Sequence, residues 1–136
     1  MMALVFVISG ILGALALLHL FWAIGFWVPI RDESGLARSV IGRPGIRNMP
    51  GPVPCAVVGM ALLFCAVLPH RPDFPARFVL MPMIAAVFIA RGIATYLPVW
   101  RTLVPEEPFA TMDRRVYGPL CVMLGIGYLI LVFGEF

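Results

Sequence analysis

Met1 to Ile30 contains no charged side chain, and Ser9 and His19 are its only clearly polar ones. A run of this length exceeds the ~20 residues that a helix needs to cross a bilayer. Ala14-Leu15-Ala16 resembles a small-x-small signal cleavage site. No basic segment precedes the run, however, and the apolar stretch continues well beyond that point, so it is expected to persist as a span. Composition extends the same constraint to the whole chain. Apolar residues make up 62% and charged residues 12% of the 136 positions, against roughly 45–50% and 25% in soluble globular domains. A soluble fold of this size has too little interior to hide that surface. A soluble enzyme, a disordered tail and a disulfide scaffold are thereby excluded.

Proline punctuation divides the remainder. Pro50, Pro52 and Pro54 lead into a second apolar segment that Pro69 closes, and Pro98 stops a third. The reading is a single domain over 1–136 with spans at about 3–28, 53–68, 78–97 and 116–133. Pro82 and Pro119 are placed in the first turns of spans three and four, where a helix has spare donors. The predicted fold is an all-α, integral membrane four-helix bundle with no repeat, soluble domain or long linker.

All ten basic residues are Arg. They are scattered over separate loops rather than set in a stripe with aromatics, so nucleic acid is not expected as a partner. They read instead as topology signals. Arg31, Arg38, Arg43 and Arg47 lie between spans one and two, and Arg101, Arg114 and Arg115 between spans three and four. Only Arg71 and Arg77 lie between spans two and three. The expected location is a bacterial inner membrane, with the two long loops cytoplasmic and both termini outside. Trp22, Trp27, Tyr96, Trp100 and Tyr117 fall near the cytoplasmic ends, as an interfacial aromatic belt would.

Ionisable groups at membrane depth are expensive and are functional candidates by default. His19 and Arg91 are expected roughly 10 Å and 9 Å inside the cytoplasmic interface, at 1.5 Å per residue. Asp113 and Tyr117 enter from the same side. Asp113, Tyr117 and Cys121 follow i, i+4, i+8 spacing on span four. Arg91 and Thr95 share a face of span three, with Tyr96 about 140° away from Arg91, and Trp22 flanks His19. The candidate ligand-binding residues are therefore His19, Trp22, Arg91, Thr95, Tyr117 and Cys121. Arg91 has two readings: a guanidinium snorkelling to the interface, or a structural ion pair with Asp113 joining spans three and four. Asp113 also suits the N-terminus of span four. His19 is either a neutral imidazole bonded across helices or a ligand-contacting or proton-handling group.

Cys55, Cys65 and Cys121 show no CxxC spacing and read as small packing residues, so no metal is expected. His19 and His70 fall on opposite sides, which argues against a bis-histidine haem, and no cofactor is expected. No phosphate loop, nucleophile elbow or HExxH motif occurs. Gly10, Gly13 and Ala14 on span one, and Gly118, Gly125 and Gly127 on span four, are expected to allow close helix packing.

Three stretches carry a family resemblance: His19-Leu20-Phe21-Trp22-Ala23-Ile24-Gly25, Ala90-Arg91-Gly92, and Phe109 to Cys121. Together they resemble the uncharacterised bacterial membrane family known as domain of unknown function 3995. That resemblance implies a four-span protein of about this length, covers nearly the whole chain and implies no activity. Three functions follow as expectations. The chain binds a lipid-like, isoprenoid-like or quinone-like molecule through its cytoplasmic-half polar cluster; or it is an accessory subunit of a larger membrane complex; or it is a small enzyme acting on a lipid through His19 or Asp113.

Overall fold

A computed structural model describes residues 1–134. Among these residues every regular element is helical. The four long apolar segments are Met2–Ala23, Pro52–His70, Arg77–Ala94 and Phe109–Phe133, each long and apolar enough to cross a membrane. In chain order the helices are α1 (Met2–Ala23), α2 (Glu33–Val40), α3 (Pro52–Val67, prolonged by a 3₁₀ turn over Leu68–His70) and α4 (Arg77–Ala94). The short α5 (Pro98–Leu103) follows. Then come α6 (Phe109–Met112), a π-helical turn over Asp113–Tyr117, and α7 (Gly118–Phe133), which run on as one rod.

Helix ends are set by local chemistry, and two of them fall earlier than the apolar pattern suggests. α1 stops at Ala23, not near residue 28. Gly25 takes φ +80°, its N–H donates to the Trp22 carbonyl, and the Phe26 N–H donates to the Phe21 carbonyl. This is a Schellman stop, which needs the left-handed conformation that glycine adopts freely. The Phe21 and Phe26 rings close it with an edge contact at 5.4 Å. α4 stops at Ala94, not near residue 97, because Pro98 forces Leu97 into extended backbone. At its other end α4 starts at Arg77, so Pro82 lies in the second turn rather than in the first.

α1 packs along α3, and α4 packs along α7; a smaller α1–α7 contact joins the two pairs. Their shared core contains Ile8 and Leu12 of α1, Ala66 of α3, Met81 and Ala85 of α4, and Leu124, Tyr128 and Leu131 of α7. The Tyr128 hydroxyl donates to the Cys65 carbonyl, which satisfies a polar tip inside this core. The α4–α7 seam is the closest approach. A Cβ at Gly92 would lie 2.7 Å from the Gly118 carbonyl oxygen, and one at Gly125 would lie 2.9 Å from that of Ala85. Gly118, Gly125 and Gly127 all abut neighbouring helices. Gly10 and Gly13 do not pack as expected, since each faces open space. The small-residue contact of α1 is made instead by Ala16, whose carbonyl meets Gly59 of α3.

The Met1 side chain reaches Gly134, so the two ends of the described chain share one end of the bundle. At the other end, the loops around α2 and α5–α6 meet. The Glu106 N–H donates to the Gly42 carbonyl, and the Gly45 N–H donates to the Glu106 carboxylate. The Phe109 ring lies where a Gly42 side chain would be.

Candidate functional site

The polar cluster lies at this loop-rich end. It is shallower than the sequence spacing implies, because the helices stop early. Arg91 is three residues from the end of α4 and His19 four from the end of α1, about 5 and 6 Å along the axis. Arg91 belongs to the final turn of α4, and His19 lies just before the final turn of α1.

Asp113 is the centre. Its side chain is completely buried, and four groups donate to its two oxygens. Arg91 Nη2 reaches Oδ1 at 2.8 Å. Oδ2 accepts from Trp100 Nε1 at 2.8 Å, from Thr95 Oγ1 at 3.2 Å, and from Arg101 Nη2. Arg91 Nη1 also donates to Thr95 Oγ1 at 2.9 Å, and the Arg91 guanidinium stacks 4.6 Å from the Trp100 ring centroid. Arg101 donates from Nη1 to the Ala110 carbonyl and lies over the Phe109 ring. Of the two readings of Arg91, the structure contains the ion pair with Asp113.

Local geometry explains why one carboxylate gathers so many donors. Thr95 and Arg91 are one turn apart on α4. Pro98 then starts α5 in a new direction, carrying Trp100 and Arg101 back over the end of α4. From α7, the π turn presents Asp113. Its Gly118 N–H donates to the Asp113 carbonyl, an i to i+5 bond, just before Pro119, whose ring nitrogen has no proton to give. Pro119 thus sits in the first turn of α7, behind this widened turn. The same turn breaks the expected Asp113–Tyr117–Cys121 stripe. Asp113 faces α4 and α5, whereas the Tyr117 hydroxyl donates to the Ser39 carbonyl of α2 at 3.0 Å.

His19 does not join this cluster. Its Nδ1 pairs with the Leu15 carbonyl at 2.7 Å, one turn back on its own helix rather than across helices. Since a carbonyl only accepts, that nitrogen carries the proton. The ring packs on Trp22 at 4.8 Å, and Trp22 Nε1 donates to the Val28 carbonyl. His19 and Trp22 line a small cleft of about 150 Å³ with Met49, Pro54 and Cys55. Arg91 and Trp100 line a larger one of about 800 Å³ with Arg43, Leu103 and Phe109. Val40 and Ile41, at the end of α2, form part of both walls. The candidate residues thus divide between two adjoining clefts. Thr95 is buried behind the larger one, and Cys121 is half-buried one turn beyond Tyr117 in α7.

Sequence reasoning missed Trp100 and Arg101. Pattern alone places Trp100 in an interfacial belt and Arg101 among the topology signals, yet both donate to Asp113. Trp22 is likewise turned inward, with only 8% of its surface exposed. Tyr96, set apart from Arg91 by helical angle, donates to the Arg114 carbonyl. No periodic signal marks Trp100 and Arg101: their place depends on the turn at Pro98, two residues before Trp100, which brings both side chains to the end of α4. At the rim, the Thr111 hydroxyl, then its N–H, hold the exposed Glu107 carboxyl below the usual carboxylate range. Arg114 and Arg101 add weaker attraction.

Among curated proteins and among solved structures, nothing matches the chain. One family model does match, over residues 12–128, a stretch that includes His19, Arg91, Trp100, Arg101, Asp113 and Tyr117. The chain therefore belongs to the family described as Protein of unknown function (DUF3995).

Proposed function

We propose that this chain is a membrane-embedded binding protein for an amphiphile, with the polar head in the larger cleft and the apolar tail along the adjoining aliphatic and aromatic side chains. The supporting observation is the cleft itself. Its volume of about 800 Å³ falls within the ~300–1,000 Å³ usual for small-molecule sites. Arg91 and Arg43 supply localised polarity, and Val40, Ile41, Leu103, Trp100 and Phe109 supply the apolar lining. Arg91 is fixed by Asp113 and Trp100 while a third of its side chain remains accessible. A cation held in this way is ready to contact a ligand without first losing side-chain freedom. By the positive-inside rule, this end of the bundle faces the cytoplasm of a bacterial inner membrane.

The test is extraction of the purified protein in mild detergent, followed by mass spectrometry of retained molecules. Wild type should carry a defined amphiphile, and Val40→Trp, which fills the shared wall, should lose it. Equal retention by both would overturn the reading. The uncovered Gly10 and Gly13 favour a second reading, an accessory subunit whose α1 face meets another membrane helix. Pull-down from mildly solubilised membranes tests it, and a protein that stays monomeric without partners would argue against it.

A further inference from the structure

We infer that the head group taken by the larger cleft is an anion of the phosphate class. The inference rests on the amphiphile reading above and deepens it. Asp113 offers one negative charge to two guanidiniums, Arg91 and Arg101, so the ion-paired trio retains one unit of positive charge, with the exposed Glu107 attracting Arg101 only weakly. The carboxylate is fully enclosed, and both its oxygens are occupied by protein donors. Its negative charge is therefore not displayed, whereas Arg91 is 32% exposed. Arg43 adds a second, exposed guanidinium from the loop after α2, and every other lining side chain is uncharged.

Hydrogen-bond capacity tells the same story. Each guanidinium brings five N–H donors and no acceptor. The acceptors on hand for Arg91 and Arg101 are the two Asp113 oxygens, the Thr95 hydroxyl and the Ala110 carbonyl. Donors exceed acceptors. Arg91, the member of the pair that lines the cleft, uses only two of its five donors, on Thr95 Oγ1 and Asp113 Oδ1. A group that complements this surface carries negative charge and several acceptor oxygens in a compact head, as a phosphate does. A quinone carbonyl would leave the positive charge uncompensated. Trp100 and Phe109, beside the guanidiniums, provide flat apolar surface for what is attached to the phosphate.

The experiment uses protein reconstituted in nanodiscs of phosphatidylcholine with a minor fraction of phosphatidic acid or phosphatidylglycerol. Native mass spectrometry then reads which lipid stays bound after release. Wild type should retain the anionic lipid in preference to phosphatidylcholine. Arg43→Gln, an exposed site with no part in the ion-paired trio, should weaken that retention about tenfold, the loss of one charge-assisted contact. Arg47→Gln removes the same charge from an exposed loop position outside the cleft and should leave retention unchanged. Inorganic phosphate is added as a competitor. Displacement identifies free phosphate as sufficient, and its failure identifies the lipid as the source; both outcomes keep the phosphate assignment. Loss of all lipid in Val40→Trp, together with no anionic preference or no effect of Arg43→Gln, overturns the head-group assignment and leaves the cleft reading standing. An unchanged anionic preference in Val40→Trp overturns both.

Discussion

One carboxylate facing two guanidiniums makes the three charged side chains unequal. Removing Arg91 leaves Asp113 paired with Arg101, and removing Arg101 leaves it paired with Arg91. Removing the Asp113 charge leaves two like charges side by side, with only the exposed Glu107 attracting Arg101 weakly, and breaking a buried pair in this way typically costs about 3–5 kcal/mol. Both arginines keep some access to water, which places the expected cost of Asp113→Asn near the lower end, about 3 kcal/mol. Arg91→Met should cost clearly less. Unfolding midpoints in mild detergent titrated with denaturing detergent check the order, and an Arg91→Met variant as unstable as Asp113→Asn would refute it. The Arg91–Asp113 half of this cluster was readable from the sequence, because charge at membrane depth is rare and each residue of the pair stands near the same membrane face. Trp100 and Arg101 were not readable. Their role depends on the reversal at Pro98, and a turn direction leaves no periodic trace. His19 shows the converse: its depth made it a candidate, but its Nδ1 bond is spent on its own helix.

At the level of helices, the same residue type has opposite consequences on different faces. Glycines on α4 and α7 lie where backbones nearly touch, whereas Gly10 of α1 has open space around it. A methyl at Gly92 would come within 2.4 Å of Val122 Cγ2 and within 2.7 Å of the Gly118 carbonyl, which is backbone and has little room to move. Gly92→Ala should therefore destabilise the bundle by about 1–3 kcal/mol, the usual range for overpacking. Gly10→Ala should lie within about 0.5 kcal/mol of wild type. The same detergent titration reads both, and a costly Gly10→Ala would show that the α1 face is packed in the membrane. The four long helices were legible because composition and proline spacing act over whole segments. Their ends were less so. The stop at Gly25 depends on a backbone conformation, and the π turn at Asp113–Tyr117 depends on hydrogen-bond register; neither alters the apolar pattern. The small-residue signal pointed to close packing on α1 and α7; it holds for α7 and fails for Gly10 and Gly13 of α1, because composition does not say which faces are covered.

For the whole molecule, the two helix pairs are joined by a limited α1–α7 contact, by the Tyr128–Cys65 bond between α7 and α3, by contacts of α4 with the 3₁₀ turn after α3, and by the loops at the arginine-rich end. There Tyr117 of the π turn holds the Ser39 carbonyl at the end of α2, and Glu106 holds Gly42 and Gly45. α2 forms a wall of both clefts, so this fastening sets their shape. Tyr117→Phe deletes one bond of about 1 kcal/mol. It should raise amide exchange in α2 about fivefold while leaving α1 and α4 unchanged, by hydrogen-exchange mass spectrometry. An unchanged α2 would show that the bond does not hold the wall. Orientation decides which leaflet feeds these clefts. Loop arginines number seven at this end, against Arg71 and Arg77 at the other. A reporter inserted after Gly45 should therefore be active on the cytoplasmic side, and one inserted after Asp73 on the opposite side. The reverse pattern would move the cationic cleft to the outer leaflet, and the amphiphile proposed for it would then have to come from there.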